Sequence, residues 1–282
     1  MKRPLILAAV VPFVTLAGIQ VVHTLRVHRY GALAPICRVQ TRQRVIGLSF
    51  DDGPTPEYTP RVLRLLKRYD VRATFFVIGA RTREYPGLVR REVEAGMEVG
   101  VHTWTHPHLP SLSSHGADVE IAGTREYLVN AQRVRPHLFR PPFGEITPDQ
   151  LRLVKEAGLR TVDWSLAVDH VLADANLSPH GAAESLMSEI QPGDILLVHD
   201  SGAGAGPGRR LAIRTLELLL PRLMHARFRL TALSTLLRTG SPIVDQPRTW
   251  FWQRGFTCPS SHSNQGRSPM EKAFGAGTLH DN

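Results

Sequence analysis

Short runs of continuous hydrophobic residues alternate with amphipathic stretches from residue 45 to residue 233. The runs, such as "VIGLSFD" and "ILLVH", are rich in branched and aromatic residues and are typical of strands buried on both faces. They predict strands at 45–51, 73–79, 98–102, 138–141, 160–166, 194–199 and 229–233. Since the intervening stretches have helical periodicity, the pattern predicts an α/β fold with a parallel sheet covered by helices. A closed barrel and an open doubly wound sheet both fit this pattern.

The ends of several predicted helices are marked by proline and glycine. Proline follows Thr59, Tyr85 and Thr147, which places it at a first helical position, where its missing N–H costs nothing. Gly96 and Gly158 fall where a helix would end in a left-handed residue.

The first 30 residues predict a membrane anchor. A basic start precedes about 19 mostly apolar residues, from Pro4 to Val22, close to the ~20 that a spanning helix needs. The run is longer than an ordinary signal-peptide core, and the nearest small-residue cleavage pattern, "ALA" at 32–34, lies beyond two arginines. We therefore expect an uncleaved anchor, with a cleaved signal and a secreted product as the alternative.

The other end of the chain loses its periodicity. Residues 241–282 are rich in Ser, Gly and Pro, which predicts a disordered tail, although "WFW" at 250–252 could dock on the folded domain. Cys37 and Cys258 are the only cysteines. A disulfide between them is possible, but their isolated positions favour two unpaired thiols.

Composition narrows the class of partner. With 42% hydrophobic and 21% charged residues the chain is typical of a globular protein, and its formal charge of +9 comes from arginine-rich helix faces. No motif that reads DNA or RNA accompanies this charge, so we expect no nucleic-acid partner. A basic surface suits an anionic cell wall or membrane.

Reactive side chains recur where the predicted strands end. In a closed barrel of alternating strands and helices, residues at that rim converge on one site. The candidates, in chain order, are Asp51, Asp52, His102, His106, Arg140, Asp169 and His199.

The pair His102 and His106 indicates a metal site. Residues four apart present both imidazoles to one ion if the segment forms a helical turn, which Pro107 would then end. Together with a carboxylate they match the two-histidine, one-carboxylate set of hydrolytic zinc sites. We interpret His108 as a neighbour of this site and not as a ligand.

Four motifs then resemble one family. "LSFDDGPTP", "HTWTHPHL", "RPPFG" and "LLVHD" are similar, in this order, to the motifs of the polysaccharide deacetylases, carbohydrate esterase family 4, also called the NodB-homology domain. The resemblance spans residues 44–237. It implies a distorted (β/α) barrel of about seven parallel strands.

The resemblance also implies roles for individual residues. The metal ligands fall on Asp52, His102 and His106, and the metal would be zinc. Asp51 falls on the catalytic base. The remaining catalytic positions are the general acid, His199, and the arginine that orients the base, Arg140.

Positions around the substrate follow from the same resemblance. Phe143, where the family usually has tyrosine, would hold the oxyanion through its backbone N–H. Trp164 and Leu197 match apolar positions around the acetyl methyl group. Asp169 matches an aspartate that orients the catalytic histidine, but Leu166 and His170 depart from the motif around it.

The resulting hypothesis is a metal-dependent N-deacetylase. We expect it to act as a monomer outside the cytoplasmic membrane, on N-acetylated glycans and on peptidoglycan above all. The alternatives are a chitooligosaccharide or xylan deacetylase, an amidase for a non-sugar substrate, and a wall-binding relative that has lost catalysis.

Overall fold

A parallel sheet forms the centre of the fold. The computed structural model describes residues 31–174, 176–201, 207–245 and Cys258. The strands are β1 (Ile36–Gln40), β2 (Val45–Asp51), β3 (Thr74–Val77), β4 (Glu98–Val101), β5 (Leu138–Phe139), β6 (Arg160–Thr161), β7 (Leu166–Ala167), β8 (Ile195–His199), β9 (Arg229–Thr231) and β10 (Ser241–Val244). Strands β2 to β9 form one sheet in the order β6-β5-β4-β3-β2-β8-β7, with β9 beside β2, and every pairing in it is parallel.

The sheet is a half-barrel, since β6 and β7 end the path and no ladder between them closes it within the described residues. Nine described helices accompany it: α1 (Thr59–Arg68), α2 (Gly79–Glu84), α3 (Pro86–Glu94), α4 (Ser114–Gln132), α5 (Pro148–Glu156), α6 (Val168–Asp174), α7 (Pro179–Glu189), α8 (Pro207–His225) and α9 (Leu233–Leu237). The α/β prediction is confirmed, with a half-barrel in place of a closed ring.

Alternate positions of β2 and β8 face two different environments. Leu48, Phe50 and Val198 belong to the large hydrophobic cluster that the helices cover. The other face of the sheet packs into a smaller cluster, the inner cluster, which includes Leu197 and Trp164. Because side chains alternate along a strand, Leu197 lies on the same face of β8 as His199. The inner cluster therefore lies beneath the strand ends that carry the reactive residues.

The strands that sequence patterns predict are present, but one of them is divided. The predicted strand at 160–166 forms β6 and β7, β2 has its predicted bounds, and the other strands are one to three residues shorter than predicted. The signals that mark the helices are confirmed. Thr147 and Gln150 form a capping box, and Gly96 and Gly158 have left-handed φ values of 74° and 70°.

The expectation for the tail is wrong in its first residues. Ser241–Val244 forms β10, which pairs antiparallel with β1, a strand that the hydrophobic pattern did not predict. Cys37, in β1, forms a disulfide with Cys258, so the expectation of two unpaired thiols is also wrong. Both features join segments about two hundred positions apart, and local patterns carry no information on such pairings.

Three predictions concern residues that lie outside the described ones: the anchor at 1–30, the docking of residues 250–252, and the disorder of the tail at 246–257 and 259–282. Within the described part of the chain, no helix is both long enough and apolar enough to cross a membrane.

Candidate metal centre and active site

Three predicted ligands lie together at the carboxyl ends of β2 and β4. Nε2 of His106 is 3.2 Å, and Nε2 of His102 is 3.4 Å, from Oδ1 of Asp52. One donor atom from each of the three residues lies within 4.8 Å of the other two. This spacing matches donors that surround one ion at the ~2 Å bond lengths of zinc sites.

Left-handed backbone conformations build this cluster. Asp52, directly after β2, has φ 74°, while Thr103 and His106 both have φ 64°. The expectation of a helical turn from His102 to His106 is therefore wrong, because the segment is an irregular loop. Non-glycine residues reach this region of φ at a cost of about 1–3 kcal/mol each, a cost that is concentrated at functional sites.

The donor set fits a divalent metal ion. Nδ1 of His102 lies 2.7 Å from the backbone carbonyl oxygen of Arg140. This oxygen accepts a hydrogen bond from Nδ1–H, and the bond directs Nε2 of His102 towards Asp52. Asp52 Oδ1 is buried and accepts no hydrogen bond among the described residues. Burial raises the pKa of Asp52, but the imidazoles of His102 and His106 outweigh it and lower the pKa far below its ordinary value. The carboxylate is thus ionised and available.

Asp51 pairs with Arg140 through one of its carboxylate oxygens. Nη1 of Arg140 donates to Asp51 Oδ1 at 2.8 Å, and it also donates to Ser49 Oγ at 2.8 Å. The second oxygen, Asp51 Oδ2, lies 3.9 Å from Nε2 of His102 and so faces the metal ligands. One oxygen of Asp51 is therefore fixed by Arg140, and the other is left towards the site.

His199 and Asp169 form a second pair. Asp169, at the start of α6, accepts from both the backbone N–H of His199 at 3.2 Å and its Nδ1 at 2.9 Å through one oxygen, Oδ2. Burial lowers the pKa of His199, but the contact with Asp169 outweighs it and raises the pKa above the ordinary value. This shift favours the protonated imidazole, in which Nε2 is a second donor.

Two residues of this region were not anticipated. Nη1 of Arg209, in the first turn of α8, donates to Asp169 Oδ1 at 2.6 Å. Asp200 follows His199 and is completely buried, where it accepts a hydrogen bond from Thr59 Oγ1 at 2.5 Å. Burial, with the charges of Asp52 and Asp51, raises the pKa of Asp200 to about 7. The double arginine that opens a predicted helix was a usable signal for Arg209, since a cation is unfavourable at a helix N-terminus.

The residues predicted to contact substrate lie in different environments. Phe143 is 39% exposed, has φ 60° and stacks on His108 with ring centroids 4.0 Å apart. Trp164 and Leu197 are buried in the inner cluster. His108 is not one of the clustered ligands, and its Nδ1 contacts Glu145 Oε2 at 2.8 Å.

Comparison with known proteins places these motifs in a family. A family model described as polysaccharide deacetylase matches residues 38–162. A peptidoglycan-N-acetylglucosamine deacetylase of Bacillus cereus is 35% identical over 201 residues, which cover 71% of this chain and 91% of the relative. A chitooligosaccharide deacetylase of a Bradyrhizobium species is 34% identical over 212 residues, which cover 68% of this chain and 90% of the relative.

Solved structures agree with this placement. A peptidoglycan N-acetylglucosamine deacetylase in complex with a substituted N-oxidanyl-benzamide matches with a TM-score of 0.67 at 28% identity, covering 73% of this chain and 94% of the other. A mutant of a pseudoenzyme of carbohydrate esterase family 4, with restored enzymatic activity, matches with a TM-score of 0.64 at 27% identity. The match covers 77% of this chain and 73% of the other. The chain belongs to the polysaccharide deacetylase family, carbohydrate esterase family 4.

Proposed function

We propose that this chain is a metal-dependent N-deacetylase of peptidoglycan that removes the acetyl group from N-acetylglucosamine residues and releases acetate. One observation carries the proposal. The ligand cluster of Asp52, His102 and His106 lies beside two further pairs, Asp51 with Arg140 and His199 with Asp169. A base, an acid and a metal site at one rim are the parts that hydrolysis of an unactivated amide requires.

Asp52, His102 and His106 would hold the ion, and their two nitrogens and one oxygen favour Zn²⁺. When bound, the ion supplies Lewis acidity towards the amide carbonyl and a nearby water. Asp51 accepts the proton of the attacking water at Oδ2, because Oδ1 is already occupied by Arg140. Arg140 has no exposed surface, so it holds Asp51 in a single orientation.

His199 completes the reaction on the leaving-group side. An amine is a poor leaving group until its nitrogen is protonated, and the raised pKa of His199 favours the protonated form that can supply this proton. Asp169 holds Nδ1, so Nε2–H is the proton that His199 donates to the amine. The backbone N–H of Phe143 is the proposed donor to the oxyanion, and Trp164 and Leu197 form the proposed apolar surroundings of the acetyl methyl group.

We prefer peptidoglycan to other glycans as the proposed substrate for two reasons. Relatives of this chain are named for it, and the chain has a basic surface. The B. cereus relative is named for this substrate, whereas the Bradyrhizobium relative is named for chitooligosaccharides. Acetate release should be measured from peptidoglycan, chitin oligomers and acetylated xylan, with and without added zinc. We expect the largest kcat/KM on peptidoglycan and dependence on the metal. Asp51→Asn is the matched control.

The outcomes separate the alternatives. Faster release from chitin oligomers or xylan would replace the substrate while keeping the mechanism. No metal-dependent release from any of the three would favour an inactive wall-binding relative or an amidase for another substrate. Against the inactive relative, the chain retains all of the proposed ligands, the base and the acid.

We further propose that residues 4–22 anchor a monomeric enzyme in the cell membrane, with the catalytic domain outside. The length of the apolar run supports this location. Cell fractionation should find the full-length chain in the membrane fraction, and a shortened soluble form would instead support secretion. Light scattering on the purified domain tests the monomer.

A further inference from the structure

Arg209 spans two parts of the site that the proposed mechanism uses separately. Its Nη1 donates to Asp169 Oδ1 at 2.6 Å, and its Nη2 lies 3.8 Å from Asp52 Oδ2. The side chain is 21% exposed, so these contacts are largely shielded from water. Such contacts restrict a side chain more than ion pairs on an open surface.

The position of Arg209 on its helix is unfavourable for the helix itself. It lies in the first turn of α8, where the helix macrodipole disfavours a cation. Arg210, the next residue, is exposed. The two carboxylates therefore account for the placement of Arg209 better than helix stability does.

The two oxygens of Asp169 have different partners. Oδ2 accepts from the backbone and the ring of His199, whereas Oδ1 accepts from Arg209. A carboxylate held through one oxygen can rotate about its χ2 angle, which is a soft torsion. A guanidinium on the other oxygen fixes the carboxylate plane, and with it the direction in which the His199 ring points.

We propose that Arg209 is a positioning residue for His199: acting through Asp169, it holds the imidazole where it can protonate the departing amine. This inference rests on the proposed function, because it assigns His199 the role of proton donor. It adds a residue to the acid side of the reaction that the four sequence motifs do not contain.

The inference predicts a dependence on the leaving group. The amine of an acetamide needs a proton to depart, whereas the phenolate of an aryl acetate ester leaves without one. The two substrates share the metal ligands and Asp51. Loss of Arg209 should therefore slow hydrolysis of the acetamide selectively, while general damage to the site would slow both reactions.

The experiment compares Arg209→Ala, Arg209→Lys and the control Arg210→Ala, each saturated with zinc and checked for metal content. Substrates are an N-acetylglucosamine oligomer and 4-nitrophenyl acetate. We expect Arg209→Ala to lower kcat on the acetamide by about 10-fold or more, with KM and ester hydrolysis within about 2-fold of wild type. Arg209→Lys should recover part of the loss, and Arg210→Ala should behave as wild type.

A double-mutant cycle tests the route through Asp169. In an Asp169→Asn background, Arg209→Ala should cause little further loss, since the two residues act as a unit. Additive losses would overturn the inference, as would equal losses on both substrates, full activity of Arg209→Ala, or a loss that excess zinc restores. A wild-type protein that binds zinc and hydrolyses the ester but releases no acetate from any acetamide would instead refute the proposed function.

Discussion

Arg140 and Asp51 form a buried ion pair with a nitrogen–oxygen distance of 2.8 Å, and their side chains are 0% and 3% exposed. The same guanidinium donates from Nε to the carbonyl oxygen of Val162 at 3.1 Å and from Nη2 to that of Asp163 at 2.8 Å. The backbone carbonyl oxygen of Arg140 also accepts a hydrogen bond from Nδ1 of His102. Arg140, directly after β5, thus orients both the proposed base and a proposed metal ligand.

Arg140→Lys should therefore damage both stability and activity. A lysine ammonium cannot span the acceptors that a planar guanidinium reaches from three nitrogens, so buried carbonyl oxygens lose their donors. We expect unfolding in urea to show a loss of about 2–4 kcal/mol, and acetate release to fall by at least about 10-fold. Arg135→Lys, on the surface, is the control. Unchanged stability would contradict the proposed importance of these contacts.

The burial of Glu92 predicts that the free energy of unfolding of this protein depends on pH. Glu92 is completely buried in α3, and neither carboxylate oxygen has a hydrogen-bond partner in the described part of the chain. Burial, followed by the charge of Asp200, raises its pKa well above the ordinary value. The folded state therefore retains a proton that the unfolded state releases, so this residue lowers stability as the pH rises above the unfolded pKa.

The measurement is urea unfolding of wild type and Glu92→Gln at pH 5, 6.5 and 8. The advantage of the variant should grow with pH, by at most about 1.4 kcal/mol per unit, because an amide cannot lose a proton. Glu94→Gln, exposed on the same helix, should show no such trend. A constant difference across the pH range would rule out titration of Glu92.

Local signals in the sequence were sufficient for most of the fold. Strands such as β2 and β8 are continuous apolar runs, and proline or glycine marks the helix ends, so each element is encoded by adjacent residues. The pairing of β1 with β10 and the disulfide between Cys37 and Cys258 depend on segments far apart in the chain. Such contacts are determined by tertiary packing, which periodicity does not report.

The candidate site was predictable in its ligands and only partly in its geometry. The motifs located Asp52, His102 and His106, but the helical turn expected between the histidines is a loop with two left-handed residues. Arg209 was missed because its role arises from the return of α8 to the rim beside β8. The double arginine at the start of this helix marks an unusual position, but it does not identify Asp169 as the partner.

Asp169→Asn should change the pH dependence of the reaction. Although burial lowers the pKa of His199, Asp169 raises it above the ordinary value. Activity that needs protonated His199 is present below this pKa and is lost as the pH rises through it. Removing the charge of Asp169 lowers the pKa, so the alkaline limb of the kcat profile should move to lower pH. An unmoved limb would assign that limb to another group.

The two neighbouring aspartates should differ in their effect on the metal. Asp52 Oδ1 lies within 3.4 Å of Nε2 of both histidines, whereas Asp51 gives one oxygen to Arg140. Asp52→Ala should therefore lose metal and activity together. Asp51→Asn should keep the metal and lose about 10²–10⁴ in rate, the usual contribution of a positioned base. Metal content and acetate release are measured on both purified variants.

The pattern of outcomes decides the roles of these residues. An empty site in Asp51→Asn with metal retained in Asp52→Ala would reverse the two assignments. Because Asp52 is left-handed at φ 74° and Asp51 is the last residue of β2, their side chains leave the backbone in different directions. Equivalent coordination by both is therefore not expected. Full activity in both variants would refute catalysis at this rim, since no other described cluster of three donor residues could hold the ion.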